Sequence, residues 1–102
     1  MSVRPPQVFG NTQAAQTNPL DLEILGEKAS ALGRAGGRVE KTLCLLRGTD
    51  AESPERTTRL KDATDAVYGY FIQRELCGLR RHQEVIREYA IPNEVLVRLG
   101  AR

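Results

Sequence analysis

Apolar residues recur at alternating spacings of three and four positions from Asn18 onward, and this spacing is typical of amphipathic helices. The first such run covers four heptads, and its apolar positions are Leu22, Leu25, Ala29, Leu32, Gly36, Val39, Leu43 and Leu46. Asn18 suits the N-cap of a helix, and Gly48 suits the residue just beyond its C-terminus. The pattern predicts one long first helix, in which the pair Gly36 and Gly37 marks the place where a bend would fall.

A second run of the same spacing follows a short polar loop. Its positions are Leu60, Ala63, Val67, Tyr70, Arg74 and Cys77. The sequence Ser53-Pro54-Glu55 has the cap, proline and acid order of a helix start, and Gly78 is a typical helix stop. Shorter patterns predict a third helix over about residues 80–90 and a fourth over about residues 92–99, because a proline at position 92 disfavours helical backbone at the residue before it.

The predicted fold is all-α. Two long helices joined by a loop of about five residues are expected to pair as an antiparallel hairpin, with the two short C-terminal helices folded against one end. A loop centred near residue 50 sets the register, which places Leu43 near Thr58 and Gly33 near Tyr68. Nothing in the sequence has the period of a strand.

This register brings a strip of small residues on the first helix opposite the aromatic stretch YGYF on the second. The predicted helix-packing residues are Gly33 and Gly37 on one side and Tyr68 and Phe71 on the other. The functional alternative is that the aromatic stretch stacks on nucleotide bases. Aromatic residues at helical spacing belong to the core more often, and this favours the packing interpretation.

The chain divides into a short arm and one domain. Residues 1–17 contain proline, glutamine, asparagine and glycine with few bulky groups, and we expect a flexible N-terminal arm there. In the alternative, the arm lies on the body with Val8 and Phe9 in a groove. Residues 18–102 are expected to form a single helical domain, which is the size that a chain of 102 residues allows.

The charge balance argues against an electrostatic function. The 15 basic and 13 acidic residues are spread through the chain and leave a net charge of +2. A nucleic-acid or anionic-lipid partner would favour a larger basic excess. No stretch approaches the roughly 20 apolar residues that span a bilayer, and the N-terminal stretch lacks the apolar run of a secretory signal. With only two cysteines, we expect a cytoplasmic protein whose thiols stay reduced.

Residues suited to catalysis or metal binding are few. Cys44, Cys77 and His82 are the only soft metal ligands, and their spacing matches no zinc motif. We expect both thiols to be buried and about 30 Å apart in the predicted hairpin, which excludes an intrachain disulfide. No nucleophile has a base beside it, and the glycine-rich residues 33–37 lie inside the heptad pattern instead of following a strand. The sequence predicts neither an enzyme nor a metal or cofactor site.

Residues 80–102 carry the one DNA-binding alternative. Their two short predicted helices and the turn between them look like a helix-turn-helix, with Arg80, Arg81, Asn93 and Arg98 as the DNA contacts. The second of these helices is only about two turns long. Its first turn also carries Glu94, at the place where a reading helix approaches the bases. A pair of helices that covers the core is therefore the favoured interpretation.

A second apolar line runs along the first helix, and one hairpin cannot cover both lines. Its interface candidates are Leu20, Ile24, Ala31 and Leu45. Left open, this line would form a larger apolar strip than a soluble monomer normally exposes. We therefore predict a non-enzymatic interaction or structural module that forms a homodimer, in which two hairpins complete a four-helix bundle. The alternative partner is a helix of another protein.

Three stretches carry a resemblance to a known group of sequences. They are MSVRPPQ at the N-terminus, LGEKASALGRAG in the first predicted helix and VIREYAIPNEVLVRLGAR at the C-terminus. Together they resemble a family of short proteins from alphaproteobacteria that has no assigned function. The resemblance implies a bacterial cytoplasmic protein, and since its motifs carry no known chemistry, it implies no catalytic or binding residue.

Overall fold

The computed structural model describes residues 18–100, and this part of the chain consists of helices and connecting turns without a strand. Its four helices are α1 (Pro19–Arg47), α2 (Arg56–Leu76), α3 (Gln83–Glu88) and α4 (Asn93–Gly100). The prediction of an all-α fold is confirmed. The predicted N-terminal arm, residues 1–17 with Val8 and Phe9, lies outside the described residues, as do residues 101–102.

The two ends of α1 follow from its capping residues. The Asn18 side chain accepts a hydrogen bond from the backbone N–H of Asp21 at 3.0 Å, and so satisfies one of the unpaired donors of the first turn. At the other end the N–H of Gly48 donates to the carbonyl of Cys44 at 3.1 Å. The helix is continuous through Gly36 and Gly37. The sequence therefore predicts the bounds of α1 correctly, and the two glycines do not interrupt it.

The helices α1 and α2 run in opposite directions and pack against each other. Near the loop, the Arg56 guanidinium donates to the carbonyls of Leu46 at 3.2 Å and Thr49 at 2.9 Å. At the far end, Cys77 Sγ lies 4.0 Å from the carbonyl oxygen of Lys28. The loop covers residues 48–55, which is longer than predicted because α2 begins only at Arg56. The register is displaced from the prediction by about four residues, or one helical turn.

The predicted packing of Tyr68 over Gly33 is wrong. Gly33 and Gly37 are exposed, and a Cβ atom built on either would have no neighbour within 4 Å. Tyr68 is 45% exposed, whereas Phe71 is half-buried and packs against the core. The displaced register moves Tyr68 away from Gly33, which is the physical reason for the error.

Gly36 is the glycine that packs against aromatic rings. A Cβ atom at this position would lie 2.9 Å from the hydroxyl of Tyr89 and 3.4 Å from Cε1 of Tyr70. The two rings meet edge to face, with centroids 5.5 Å apart. Gly36 belongs to the heptad line that faces the core, whereas Gly37 lies about 100° further round the helix. Close approach of two tyrosines therefore explains the absence of a side chain at Gly36.

The hydrophobic core lies in the half of the molecule nearer the α1–α2 loop. Its buried apolar side chains are Ala35, Val39, Leu43 and Leu46 of α1, Ala63, Ala66, Val67 and Tyr70 of α2, and Val85, Ile91 and Val95 of the C-terminal segment. The helix α4 packs against α2, and its Glu94 forms an ion pair with Arg56. Among the described residues of α1, none before Ala35 is buried.

Two left-handed residues shape the C-terminal segment. Gly78, with φ of +87°, follows α2, and the N–H of Leu79 donates back to the carbonyl of Arg74 at 2.9 Å. After α3, Ala90 adopts φ of +53°, although alanine rarely occupies this region. The Arg47 guanidinium donates to the carbonyl of Ala90 at 3.0 Å and so holds this turn against the end of α1. The turn directs Ile91 into the core.

Candidate functional site

The N-terminal third of α1 extends beyond the end of α2. Because Cys77 ends α2 at the level of Lys28, residues 19–27 project about 14 Å past it. Their large apolar side chains are exposed: Leu20 by 62%, Leu22 by 55%, Ile24 by 47% and Leu25 by 60%. The sequence pattern predicts that α2 covers Leu22 and Leu25, and this is wrong because α2 is shorter than α1 and its register is displaced.

One side of α1 is exposed along nearly its whole length, although its C-terminal part borders a groove shared with α2, and we call this side the outer face of α1. Helical spacing places nine residues on it: Leu20, Glu23, Ile24, Glu27, Ala31, Arg34, Arg38, Lys41 and Leu45. All of them are exposed except Ala31, which is half-buried. The predicted interface candidates, Leu20, Ile24, Ala31 and Leu45, therefore share a single face. Association through that face stays a prediction.

The charges on the outer face are separated by sign along the helix. Glu23 and Glu27 lie on its N-terminal part, while Arg34, Arg38 and Lys41 lie on its C-terminal part. A shallow groove on this face is lined by Leu20, Glu23, Ile24, Gly26, Glu27, Ser30 and Arg34. A second shallow groove places Arg38 and Lys41 beside Asp62 and Asp65 of α2. The order acid, acid, base and base at positions 23, 27, 34 and 38 is present in the sequence, but apolar periodicity alone does not identify it as a feature of one face.

A polar cluster around His82 lies at the far end of α2. The Nε–H of Arg74 donates to His82 Nδ1 at 3.1 Å, and His82 Nε2 lies 2.9 Å from a carboxylate oxygen of Glu75. Because a guanidinium only donates, Nδ1 is the acceptor, and the neutral ring carries its proton on Nε2 and donates to Glu75. The ring also stacks on Phe71, with centroids 4.1 Å apart. Both ring nitrogens are occupied, so the cluster fixes the entry into α3 and has no free base.

Tyr89 is the other titratable group with a strongly altered environment. Burial, together with a hydrogen bond and charge coupling to Tyr70, raises the pKa of Tyr89 to about 12. Its hydroxyl sits over Gly36, and its backbone carbonyl accepts a hydrogen bond from Arg47 at 2.6 Å. A tyrosine with a raised pKa is a poorer base and a poorer nucleophile at neutral pH. The contacts of Tyr89 are those of a residue that packs α3 onto α1.

The cysteines form no site with other residues. Both thiols are free, Cys44 is exposed and Cys77 is half-buried, so the expectation of two buried thiols is wrong. Cys44 lies about 100° round α1 from the buried Leu43, and this places its side chain outside the core. Within residues 18–100 no three histidine, cysteine or acidic side chains are grouped so that they could hold a metal ion.

The four residues of the DNA-binding alternative are all exposed, and they belong to two different segments of the chain. The Arg74 guanidinium, near the end of α2, donates to the carbonyl oxygen of Arg81 at 2.6 Å, and Arg80 precedes Arg81 in the chain. Asn93 and Arg98 lie on α4, whose Glu94 is paired with Arg56 at the start of α2. Arg74 and Arg56 are about 27 Å apart along α2. Nucleic-acid binding through these residues stays a prediction.

Among known proteins, the chain matches one family model and no individual protein of known function or structure. A family model described as "Family of unknown function (DUF6665)" matches residues 7–102. None of the curated proteins matches the chain, and none of the solved structures does. Within residues 18–100, each helix is too short or too polar to pass through a bilayer.

Proposed function

The chain belongs to the DUF6665 family of unknown function, and we propose that its helical body is a non-enzymatic protein–protein interaction module that associates with itself through α1. The observation that carries this proposal is the exposed N-terminal third of α1. Four large apolar side chains there, Leu20, Leu22, Ile24 and Leu25, are each about half exposed or more. Leu20 and Ile24 lie on the outer face, whereas Leu22 and Leu25 lie on the line that faces the core further along α1.

Helix energetics support the same proposal. In proteins, most of the stability of a helix comes from packing of its apolar face, and isolated helices shorter than about 12 residues are marginal in water. Residues 19–27 have Asn18 as a cap and are all exposed, although Leu25 borders a shallow groove with Leu76 and Cys77 at the end of α2. Covering their apolar side chains would stabilise the segment by roughly 25 cal/mol for each Å² of apolar surface removed from water. A docking partner supplies this cover.

A second copy of the chain is the partner that we propose. Two copies joined through α1 bring two α1 helices and two α2 helices together, which gives the arrangement of a four-helix bundle. A closed two-fold dimer also buries the exposed face of α1 in both copies at once, and leaves no equivalent face free to bind a third copy. The same helices could receive a helix from a different protein, and the experiment below separates these two partners.

Light scattering behind gel filtration tests the proposal. At tens of micromolar concentration, we expect a mass of twice the 11.3 kDa of one chain. The double variant Leu20→Ser/Ile24→Ser should elute with the mass of a single chain, because it removes two exposed side chains without touching the core. Val97→Ser is the matched control, since Val97 is 63% exposed on α4, and it should remain dimeric.

The possible masses decide between the partners. A folded single-chain species at every concentration would refute self-association and leave another protein's helix as the partner of α1. A dimer that Leu20→Ser/Ile24→Ser leaves intact would also contradict the proposal, because association would then use a different surface.

A further inference from the structure

The charge order on the outer face of α1 identifies how a second copy docks there. We propose that the outer faces of two α1 helices pack antiparallel, with the two-fold axis passing between Ser30 and Ala31. This inference rests on the proposed self-association and adds the orientation and register of the partner. It commits to a partner of one chemistry, which is the same face of the same chain.

The spacing of the charges fixes the position of the axis. Glu27 and Arg34 lie equally far from the point between Ser30 and Ala31, at about 5 Å along the helix. Glu23 and Arg38 are also equally far from that point, at about 11 Å. In an antiparallel pair, each glutamate of one copy therefore lies opposite an arginine of the other. The two-fold axis repeats each of these two pairs, so four oppositely charged pairs form across the interface.

The apolar and small residues fit the same register. Ser30 and Ala31 lie at the axis, where two helices come closest and small side chains are needed. Leu20 lies opposite Lys41, whose methylene stem covers apolar surface while its ammonium group stays in water.

A parallel arrangement of the two α1 helices would place like charges together. Glu27 would face Glu27 of the second copy and Arg34 would face Arg34, which destabilises an interface. Antiparallel helices also place the positive end of one helix dipole beside the negative end of the other. The charge order therefore selects the antiparallel pair, and the contact between Leu20 and Lys41 at each end makes it about 32 Å long.

Charge reversal provides the first test. Glu27→Arg and Arg34→Glu each place two like-charge pairs across the interface. Each variant alone should raise the dimer Kd by about tenfold or more, because the loss of attraction and the new repulsion both act twice. An equimolar mixture of the two variants should form a heterodimer with a Kd close to that of the unaltered chain, since every pair is then opposite in sign. Glu52→Arg is the control, as it makes the same charge change on an exposed loop residue.

Disulfide trapping tests the register. In a Cys44→Ser/Cys77→Ser background, Ser30→Cys should form a covalent dimer with itself, because it lies at the axis. Leu20→Cys should not, because its two copies are about 31 Å apart in the antiparallel pair. A mixture of Leu20→Cys and Lys41→Cys should form the mixed covalent dimer.

The outcomes separate the two levels of the proposal. A dimer in which the mixed variants regain no affinity, or in which Leu20→Cys links to itself, would overturn the antiparallel register and leave self-association standing. A chain that is monomeric throughout would overturn both. Circular dichroism of each variant, matching that of the unaltered chain, shows that the changes in Kd do not come from unfolding.

Discussion

Gly36 and Gly33 offer a paired test of the packing of α1. Both glycines lie inside the helix, so replacing either by alanine improves helix propensity by about 1 kcal/mol. Only Gly36 faces other side chains, because a Cβ atom there would lie 2.9 Å from the Tyr89 hydroxyl, whereas a Cβ at Gly33 has no neighbour within 4 Å. The two substitutions are chemically the same, and they differ only in what the new methyl group meets.

The magnitude follows from this difference. Gly33→Ala should stabilise the fold by about 0.5 to 1 kcal/mol, which is the full propensity gain. Gly36→Ala gains the same propensity but must push the Tyr89 ring away, and overpacking of a well-packed core costs about 1 to 3 kcal/mol. We therefore expect Gly33→Ala to be the more stable variant by about 1 to 3 kcal/mol. In a chain of this size, each 1 kcal/mol corresponds to roughly 4 to 8 °C in Tm.

Urea unfolding followed by circular dichroism measures both free energies. All samples need one protein concentration, because association stabilises the folded state by mass action. The double variant Gly36→Ala/Tyr89→Phe removes the hydroxyl that meets the new methyl group. Its free energy of unfolding should therefore be higher than the value obtained by adding the changes measured for Gly36→Ala and Tyr89→Phe alone. Equal stabilisation by Gly33→Ala and Gly36→Ala would refute the argument, since it would show that the two tyrosines do not pack on Gly36.

Two further predictions concern the C-terminal segment. Ala90→Gly should raise the free energy of unfolding by about 1 kcal/mol, because glycine adopts the left-handed backbone at φ of +53° without strain. Gly78→Ala, at φ of +87°, should lower the free energy of unfolding by about the same amount. Thermal melts in which the two variants change Tm in the same direction would contradict this. The raised pKa of Tyr89, about 12 against an ordinary value of 10.0, keeps the neutral phenol in the folded state. Its contribution to stability should therefore be fully present below pH 10 and be lost as the pH rises toward 12, and Tyr89→Phe should remove that part of the pH dependence in urea titrations.

The sequence predicts the helices better than their mutual placement. Asn18 and Gly48 bound α1 correctly, because capping is a local property. The start of α2 is predicted less well, since Ser53-Pro54-Glu55 has every local feature of a helix start while α2 begins at Arg56. The reason is tertiary: the Arg56 side chain reaches across to the carbonyls of Leu46 and Thr49. A displacement of one turn follows, and it moves the aromatic contact from Gly33 to Gly36.

The sequence predicts only part of the candidate interaction surface. Periodicity places Leu20, Ile24, Ala31 and Leu45 on one line, and the structure places them on one face. Periodicity does not show that Leu22 and Leu25 are left uncovered, because this depends on the length and register of α2. The complementary charges on the same face are present in the sequence, but their relevance to binding depends on the exposure of that face, which the sequence does not show.

The unequal burial of α1 divides one continuous helix into two segments with different opening free energies. Backbone amides near Val39 and Leu43, whose side chains are fully buried, should exchange with solvent only through global unfolding. Amides near Ile24, whose side chain is exposed, should exchange through local opening of the projecting segment. If two copies associate through the outer face of α1 as proposed, dilution should speed exchange at Ile24 while leaving exchange at Leu43 unchanged, so hydrogen exchange along a single helix would report that association.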